Sequence, residues 1–157
     1  MNRNRKEARR KQVLPVWTYL QAEQASPYLR SILRSLREHR LEQLGHELRA
    51  KRLAARPGRP DRTTLIAHED ACRDARAASE RFHDDLQELQ GMGVYCQDPV
   101  RGQALLPFVH GQLLAWMVFD LFEEPSLHSW RYHSDPEQMR RPIVEVAEKP
   151  SEWTLVL

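Results

Sequence analysis

Apolar residues recur at three- and four-residue intervals through the first half of the chain, which is typical of an amphipathic helix. These positions are Leu29, Leu33, Leu36, Leu44 and Leu48, and Ile32 and Leu41 widen the stripe. Ser26-Pro27 favours a helix start, because serine caps well and proline suits the first helical position. The pattern predicts a helix of roughly 28 residues that begins at this dipeptide and ends near Ala55. A short turn, capped by Thr18 with Gln21, is expected before it.

The proline and glycine cluster over residues 56–61 predicts a break, and Thr63 or Thr64 is expected to cap a second helix. Apolar and small residues then alternate spacings of three and four, which is the heptad pattern of a helix that packs against another helix. The predicted seam comprises Leu65, His68, Cys72, Ala75, Ser79, Phe82, Leu86 and Leu89. Because the break is short, we expect an antiparallel αα-hairpin over about residues 18–91.

After Gly93 the pattern changes to short runs separated by turn-forming residues. The predicted strands are residues 94–96, 104–110, 113–119 and 127–133. Pro107 is expected at a sheet edge or a bulge, because proline cannot donate a hydrogen bond to a neighbouring strand. The sequence therefore predicts an α+β fold. A long, coiled-coil-like antiparallel αα-hairpin is followed by a small antiparallel β-sheet of three to four strands, which the base of the hairpin covers.

Length and composition are those of one globular domain with tails. Of the 157 residues, we expect 1–12 to be a disordered basic tail, 13–143 the domain (its β-unit about 93–143), and 144–157 a C-terminal extension with an apolar end.

Mean hydropathy is −0.68, and no apolar run approaches the roughly 18 residues that a membrane span needs. The basic N-terminus lacks an apolar segment behind it, and Cys72 and Cys96 form no pairing pattern. The expected location is therefore the cytoplasm.

Charge is unevenly distributed along the chain, although the formal net charge is only +2. Residues 1–62 hold 16 Lys and Arg against 6 Asp and Glu, whereas residues 63–157 hold 8 against 16. One explanation is attraction between the two arms of the hairpin. The other is a nucleic-acid-binding surface, since Arg30, Arg34 and Arg37 share one helix face and would contact phosphates without reading bases.

Candidate chemistry is concentrated near the fourth predicted strand, where His128, His133 and Glu123 are possible ligands of a metal-assisted enzyme. An odd separation on a strand directs two side chains to opposite faces, which argues against one metal bound by both histidines. His68 and Cys72, four residues apart on a helix, could reach one metal, but no third ligand shares their seam. We therefore expect no cofactor.

Several short motifs follow one another in a particular order from about residue 16 to residue 143. They are Thr18, Pro27, Gly93-Val94, Asp98, Gly102, Leu121, Glu123, Trp130, Arg140, Pro142 and Ile143. This order resembles family 2203 of the domains of unknown function, bacterial proteins with a helical hairpin and a small β-unit. Two positions depart from the family pattern: Arg131 replaces a histidine, and Pro136-Glu137 replace Gly-Phe. The resemblance implies the fold and no established activity, and it implies no metal or acid–base role at position 131.

Together these features favour a non-enzymatic interaction or scaffold module. A lone helical hairpin leaves an apolar stripe that needs cover. Association with a second copy, or with a protein partner, is therefore expected through the hairpin or the apolar C-terminal segment. A basic nucleic-acid-associated protein that uses the N-terminal tail and first helix is the alternative, and a metal-assisted enzyme is the third hypothesis. No membrane partner is expected.

Overall fold

The computed structural model describes residues 14–147 and confirms the α+β fold. Two long packed helices precede a five-stranded antiparallel sheet whose strands lie in chain order. The elements are α1 (Tyr19–Ala54), α2 (Arg62–Gly91), β1 (Tyr95–Asp98), β2 (Gln103–His110), β3 (Leu113–Asp120), β4 (Leu127–Tyr132), β5 (Arg141–Pro142) and α3 (Val144–Ala147). The two-residue β5 adds to the three or four strands predicted. The expected basic tail, and residues 148–157 with the apolar C-terminal end, lie outside the described residues.

Helix α1 is longer than predicted, because it continues through Ser26-Pro27 instead of beginning there. It starts at the predicted capping box: the Gln21 N–H donates to Thr18 Oγ1 at 3.1 Å, and the Thr18 N–H donates to Gln21 Oε1 at 3.0 Å. Proline removes one helical N–H, and next to it the Ser26 hydroxyl donates to the Ala22 carbonyl at 2.9 Å. Residues on both sides of the proline are buried in the same core, and this burial outweighs the lost hydrogen bond.

Helix α2 is capped by Asp61 and not by the predicted Thr63 or Thr64. The Asp61 carboxylate accepts a hydrogen bond from the Thr64 N–H at 2.8 Å. Asp61 also has the extended backbone that an N-cap residue adopts. Both threonines consequently lie inside the first turn of α2.

Small side chains on α2 form much of its contact with α1. The buried residues of α2 are Ala71, Ala75, Ala78, Phe82 and Leu89. Within the predicted seam, Ala75, Phe82 and Leu89 are buried, and His68, Cys72, Ser79 and Leu86 are half-buried. Leu65 differs from the prediction, since it is 55% exposed. It lies in the first turn of α2, beside the loop at which α1 has already ended.

The apolar stripe of α1 faces two directions. Leu29, Ile32, Leu33 and Leu36 are buried in the main core, whereas Leu41, Leu44 and Leu48 are 39%, 40% and 49% exposed. A helix turns by about 100° per residue, so Leu44 and Leu48 lie about 80° and about 120° around the axis from Leu36. The contact with α2 continues instead through Ala50 and Leu53, which form a separate small cluster with Ala71.

The opposite net charges of the two arms do not produce a ladder of ion pairs. In the part of the chain that the structure describes, the arms are joined by His39–Asp85, 2.7 Å between Nδ1 and Oδ2, and by Arg81–Glu42 at 3.3 Å. The second pair has its base on α2 and its acid on α1, opposite to the overall distribution. Asp85 also accepts from the Ser35 hydroxyl at 2.8 Å. Attraction between the arms therefore stays a prediction.

One face of the sheet packs against the half of the hairpin nearest to it. The strand register places Leu106 opposite Met117, and Met117 opposite Trp130 of β4, on the face that points to the helices. All three are buried in the main core together with residues of both helices. Val146 of α3 belongs to the same core, so the packed unit extends past the predicted boundary at residue 143.

Pro107 lies at a local edge, although β2 is not an edge strand of the sheet. Strand β1 pairs with β2 only as far as Leu105. Beyond that point the Trp17 N–H donates to the Pro107 carbonyl at 2.7 Å. The N–H that proline lacks would point to the same side as this carbonyl, so its absence removes no bond to β3.

Candidate functional site

The three arginines predicted to bind nucleic acid differ in what they contact. Arg30 donates to the Ser126 hydroxyl at 2.6 Å, in the turn between β3 and β4. Arg37 donates from Nε to the Val100 carbonyl at 2.8 Å, in the turn between β1 and β2. These two side chains tie α1 to the β-unit, whereas Arg34 is exposed. Nucleic-acid binding therefore stays a prediction. Of the three arginines, Arg34 is the one whose side chain is exposed and available to a phosphate.

The three candidate metal ligands of the β-unit do not converge on one point. Glu123 lies in the turn before β4, His128 in β4 and His133 directly after it, and all three are exposed. His133 Nδ1 lies 3.1 Å from the indole nitrogen of Trp116. Within residues 14–147 no group of three or more His, Cys, Asp and Glu side chains is arranged to hold a metal ion.

The two cysteines have different surroundings. Cys72 Sγ lies 3.9 Å from both ring nitrogens of His68, within the hairpin. Burial raises the pKa of the Cys96 thiol to about 11, and the charge of Asp98 adds to this effect. Because the thiolate is the nucleophilic form of cysteine, Cys96 is a neutral packing residue at physiological pH.

An aromatic cluster joins β4 to β5 at one end of the sheet. Trp130 is 1% exposed, and its indole N–H donates to the Pro142 carbonyl at 3.1 Å. The rings of His110 and Tyr132 pack on it with centroid distances of 4.5 and 4.9 Å. The Arg141 guanidinium lies 5.4 Å from the Trp130 centroid and 4.9 Å from that of Tyr132. These contacts hold the short β5 in place.

The motif residues Trp130, Arg140 and Pro142 have structural roles in this region. Trp130 and Pro142 are joined by the indole hydrogen bond. Arg140 donates from Nη1 to the carbonyls of Glu137 at 2.6 Å and Met139 at 3.0 Å. It therefore closes the turn that leads into β5.

Asp135 organises the turn that follows β4. Its carboxylate accepts from Arg141 Nε at 2.9 Å and Nη2 at 3.2 Å, and from the Tyr132 N–H at 2.9 Å. The hydrogen bond from Arg141 is the largest cause of a lowered pKa of Asp135, and the Tyr132 N–H is the next. The positive charge of Arg131 lowers this pKa further.

We expect Asp135→Asn to lower the free energy of unfolding at neutral pH and to have little effect in acid. Because the pKa of Asp135 is lower in the folded state, its ionised form stabilises the fold fully above the unfolded-state pKa of about 4. This stabilisation is lost as the pH falls through the folded-state pKa. Urea unfolding of both proteins at several pH values measures the difference. Asp84→Asn, at an exposed position of α2, is the control, and a pH-independent effect of Asp135→Asn would contradict the prediction.

The face of the sheet turned away from the helices carries buried polar groups. Arg131 and Ser129 lie on this face of β4, opposite Trp116 and Val118 of β3. They are 6% and 3% exposed. In the described part of the protein, neither Arg131 Nε nor Ser129 Oγ has a hydrogen-bond partner.

A cleft of about 380 Å³ lies at the far end of the hairpin, around the loop that joins the helices. Its lining includes apolar and basic side chains: Leu53, Arg56, Pro57, Arg59, Leu65 and His68. The carboxylate in this lining belongs to Asp61, which caps α2. The cleft is therefore apolar and positively charged, and its acid is already engaged in the fold.

Sequence reasoning missed the outward direction of the second half of the α1 stripe and the burial of Arg131. Gly45 was a signal of the outward-facing leucines. Glycine destabilises a helix interior, so its presence there indicates a role other than helix formation. For the second, alternation on β4 indicates only that Arg131 lies on the face opposite Trp130 and Tyr132, and no sequence signal indicates that it is buried there.

No helix within residues 14–147 combines the length and apolar character required to cross a membrane. The relation to family 2203, which rests on the order of the motifs, stays a prediction. Comparison with protein families, curated proteins and solved structures found no match for this chain.

Proposed function

We propose that this protein is a non-enzymatic interaction module that pairs with a second copy of itself through the back of α1. The observation that carries the proposal is the exposed line of Leu41, Leu44 and Leu48. Spacings of three and four place these side chains on one side of the helix, away from the side that contacts α2. Leucines in such a line are the positions that a facing helix covers in a coiled coil.

Gly45 lies beside this line and supports close approach of a second helix. A Cβ atom at position 45 would meet nothing within 4 Å, so the packing of one copy does not require glycine there. Inside a helix, glycine is less favourable than alanine by about 0.5–1 kcal/mol. In a paired state, the missing side chain allows the two helix backbones to approach, which gives the glycine a physical reason.

Charges beside the line favour an antiparallel pairing. If Leu44 of one copy packs beside Leu48 of the other, the heptad geometry brings the two Gly45 residues together. The same alignment places Glu38 of each copy opposite Arg52 of the other. Both side chains are exposed, and within one copy neither forms an ion pair in the described region. A twofold pairing makes this contact twice.

Analytical ultracentrifugation of the whole chain, whose monomer mass is 18.5 kDa, is expected to show a concentration-dependent dimer. Leu44→Glu combined with Leu48→Glu should produce a monomer with unchanged helix content, because these residues do not contact α2. Leu113→Glu, at a position of β3 that is 58% exposed, is the matched control and should leave the dimer intact. A wild-type monomer at high concentration would overturn the proposal.

A charge exchange tests the antiparallel geometry separately. Glu38→Arg should raise the dissociation constant by roughly tenfold, because two attractive pairs become repulsive. Adding Arg52→Glu to the same chain should restore association. If the double exchange is as weak as Glu38→Arg alone, the helices do not pair in this register.

A further inference from the structure

We infer that the outer face of the sheet binds an oxyanion, a carboxylate or phosphate group of a small molecule, through Arg131, Ser129 and His133 beside Trp116. This face belongs to the β-unit and is separate from the α1 stripe. The inference therefore goes beyond the proposed self-association and does not depend on it.

The first argument is the state of Arg131. A guanidinium is costly to bury unless a counter-charge and hydrogen bonds compensate it. Arg131 is 6% exposed, yet its side chain forms no hydrogen bond or ion pair with any residue that the structure describes. The charge of Arg131 lowers the pKa of Asp135, so this carboxylate is near. Its oxygens accept hydrogen bonds from Arg141 and from the Tyr132 N–H instead of from Arg131. The guanidinium is thus built into the sheet with Nε unsatisfied, and the nearby Asp135 carboxylate does not bond to it.

The second argument is that the neighbouring polar groups are donors too. The Ser129 hydroxyl, two residues before Arg131 on the same face, is buried and unpaired in the described chain. The Trp116 indole nitrogen can only donate, so His133 Nδ1 is the acceptor in their 3.1 Å contact. The proton of neutral His133 is therefore on Nε2. Guanidinium, hydroxyl and imidazole N–H groups together match the lone pairs of an oxyanion.

The third argument concerns the body of the ligand. Trp116 is half-buried next to these donors, and its ring meets that of Tyr95 edge-on at a centroid distance of 5.4 Å. Tyr95 is 43% exposed. Two aromatic rings beside a cationic group suit a small molecule whose oxyanion binds Arg131 and whose apolar part packs on the rings.

The test is a titration of the full chain with benzoate and, separately, with inorganic phosphate, followed through the indole N–H resonance of Trp116. At least one probe is expected to shift this resonance with saturation. Saturation by benzoate alone assigns a carboxylate ligand, and saturation by phosphate alone assigns a phosphate ligand.

Arg131→Met should raise the dissociation constant of the saturating probe by about tenfold or more, because a charge-assisted contact is lost. Arg101→Met, at an exposed turn position, is the matched control and should not change it.

Stability supplies an independent readout. Without ligand, Arg131→Met should unfold at the same or a higher temperature than wild type, because it removes a buried guanidinium whose Nε has no hydrogen-bond partner. The saturating probe should raise the melting temperature of wild type and not that of the variant. If Arg131→Met does not fold, Ser129→Ala and His133→Ala are measured instead, each with an expected loss of about threefold. Absence of saturation by both probes, or equal affinity in the variants, would overturn the inference.

Discussion

Trp130→Ala is expected to lower the free energy of unfolding by about 3–5 kcal/mol, which is the range for deletion of a large buried aromatic side chain. The residue is 1% exposed and packs against Phe108, His110 and Tyr132. Its replacement by alanine leaves a cavity between the sheet and the hairpin and removes the hydrogen bond to the Pro142 carbonyl. Urea unfolding followed by far-ultraviolet circular dichroism measures the loss.

Trp130→Phe separates the two contributions to this effect. Phenylalanine keeps an aromatic ring in the core but has no N–H for Pro142, so we expect a smaller loss of about 1–3 kcal/mol. The β5 strand should also exchange its amide hydrogens faster in this variant, because the indole hydrogen bond holds it to β4. A loss under 1 kcal/mol for Trp130→Ala would show that Trp130 does not anchor the core.

Gly102→Ala is expected to lower the free energy of unfolding by about 2–4 kcal/mol, from backbone strain together with a steric clash. Gly102 has a φ of +69°, in the left-handed region. An added Cβ would lie 2.7 Å from the Cβ of Leu121, which is close to the backbone and cannot swing away. The turn itself is fixed by Asp98, whose carboxylate accepts from the N–H groups of Val100 and Arg101 at 3.0 Å.

Gly111→Ala is the matched control for this prediction. Gly111 has a φ of +56° in the turn between β2 and β3, but a Cβ there would meet nothing within 4 Å. Only the backbone cost of about 1–2 kcal/mol should appear. Equal losses in the two variants, measured by the same urea unfolding, would show that the contact with Leu121 relaxes freely and would contradict the steric argument.

The sequence predicted those features that depend on residues close together in the chain. The capping box at Thr18, the break before α2 and the turn at Gly111 each rest on the conformational preferences of a few neighbouring residues. The α+β order followed from a change of apolar period near Gly93. For the candidate site, the sequence indicated alternation along the fourth strand, but local rules did not indicate that Arg131 would be buried.

Other features depend on contacts between distant residues, and there the sequence rules were incomplete. Ser26-Pro27 satisfies a local rule for a helix start, yet burial on both sides of it keeps α1 continuous. Arg30 and Arg37 fit a phosphate-binding face by spacing, but loops some 60 to 100 residues later in the chain supply their acceptors. No local pattern contains that information.

The sequence by itself therefore determined the helical hairpin and the first four strands, because propensity, capping and turn chemistry act over a few residues. Only the tertiary structure decided which leucines of α1 are covered and which are exposed, because that depends on the angular position of α2 around α1. It also decided that Arg131 is buried with no hydrogen-bond partner for Nε, since burial is a property of the packed sheet. The proposed dimer surface and the oxyanion site both rest on these tertiary outcomes.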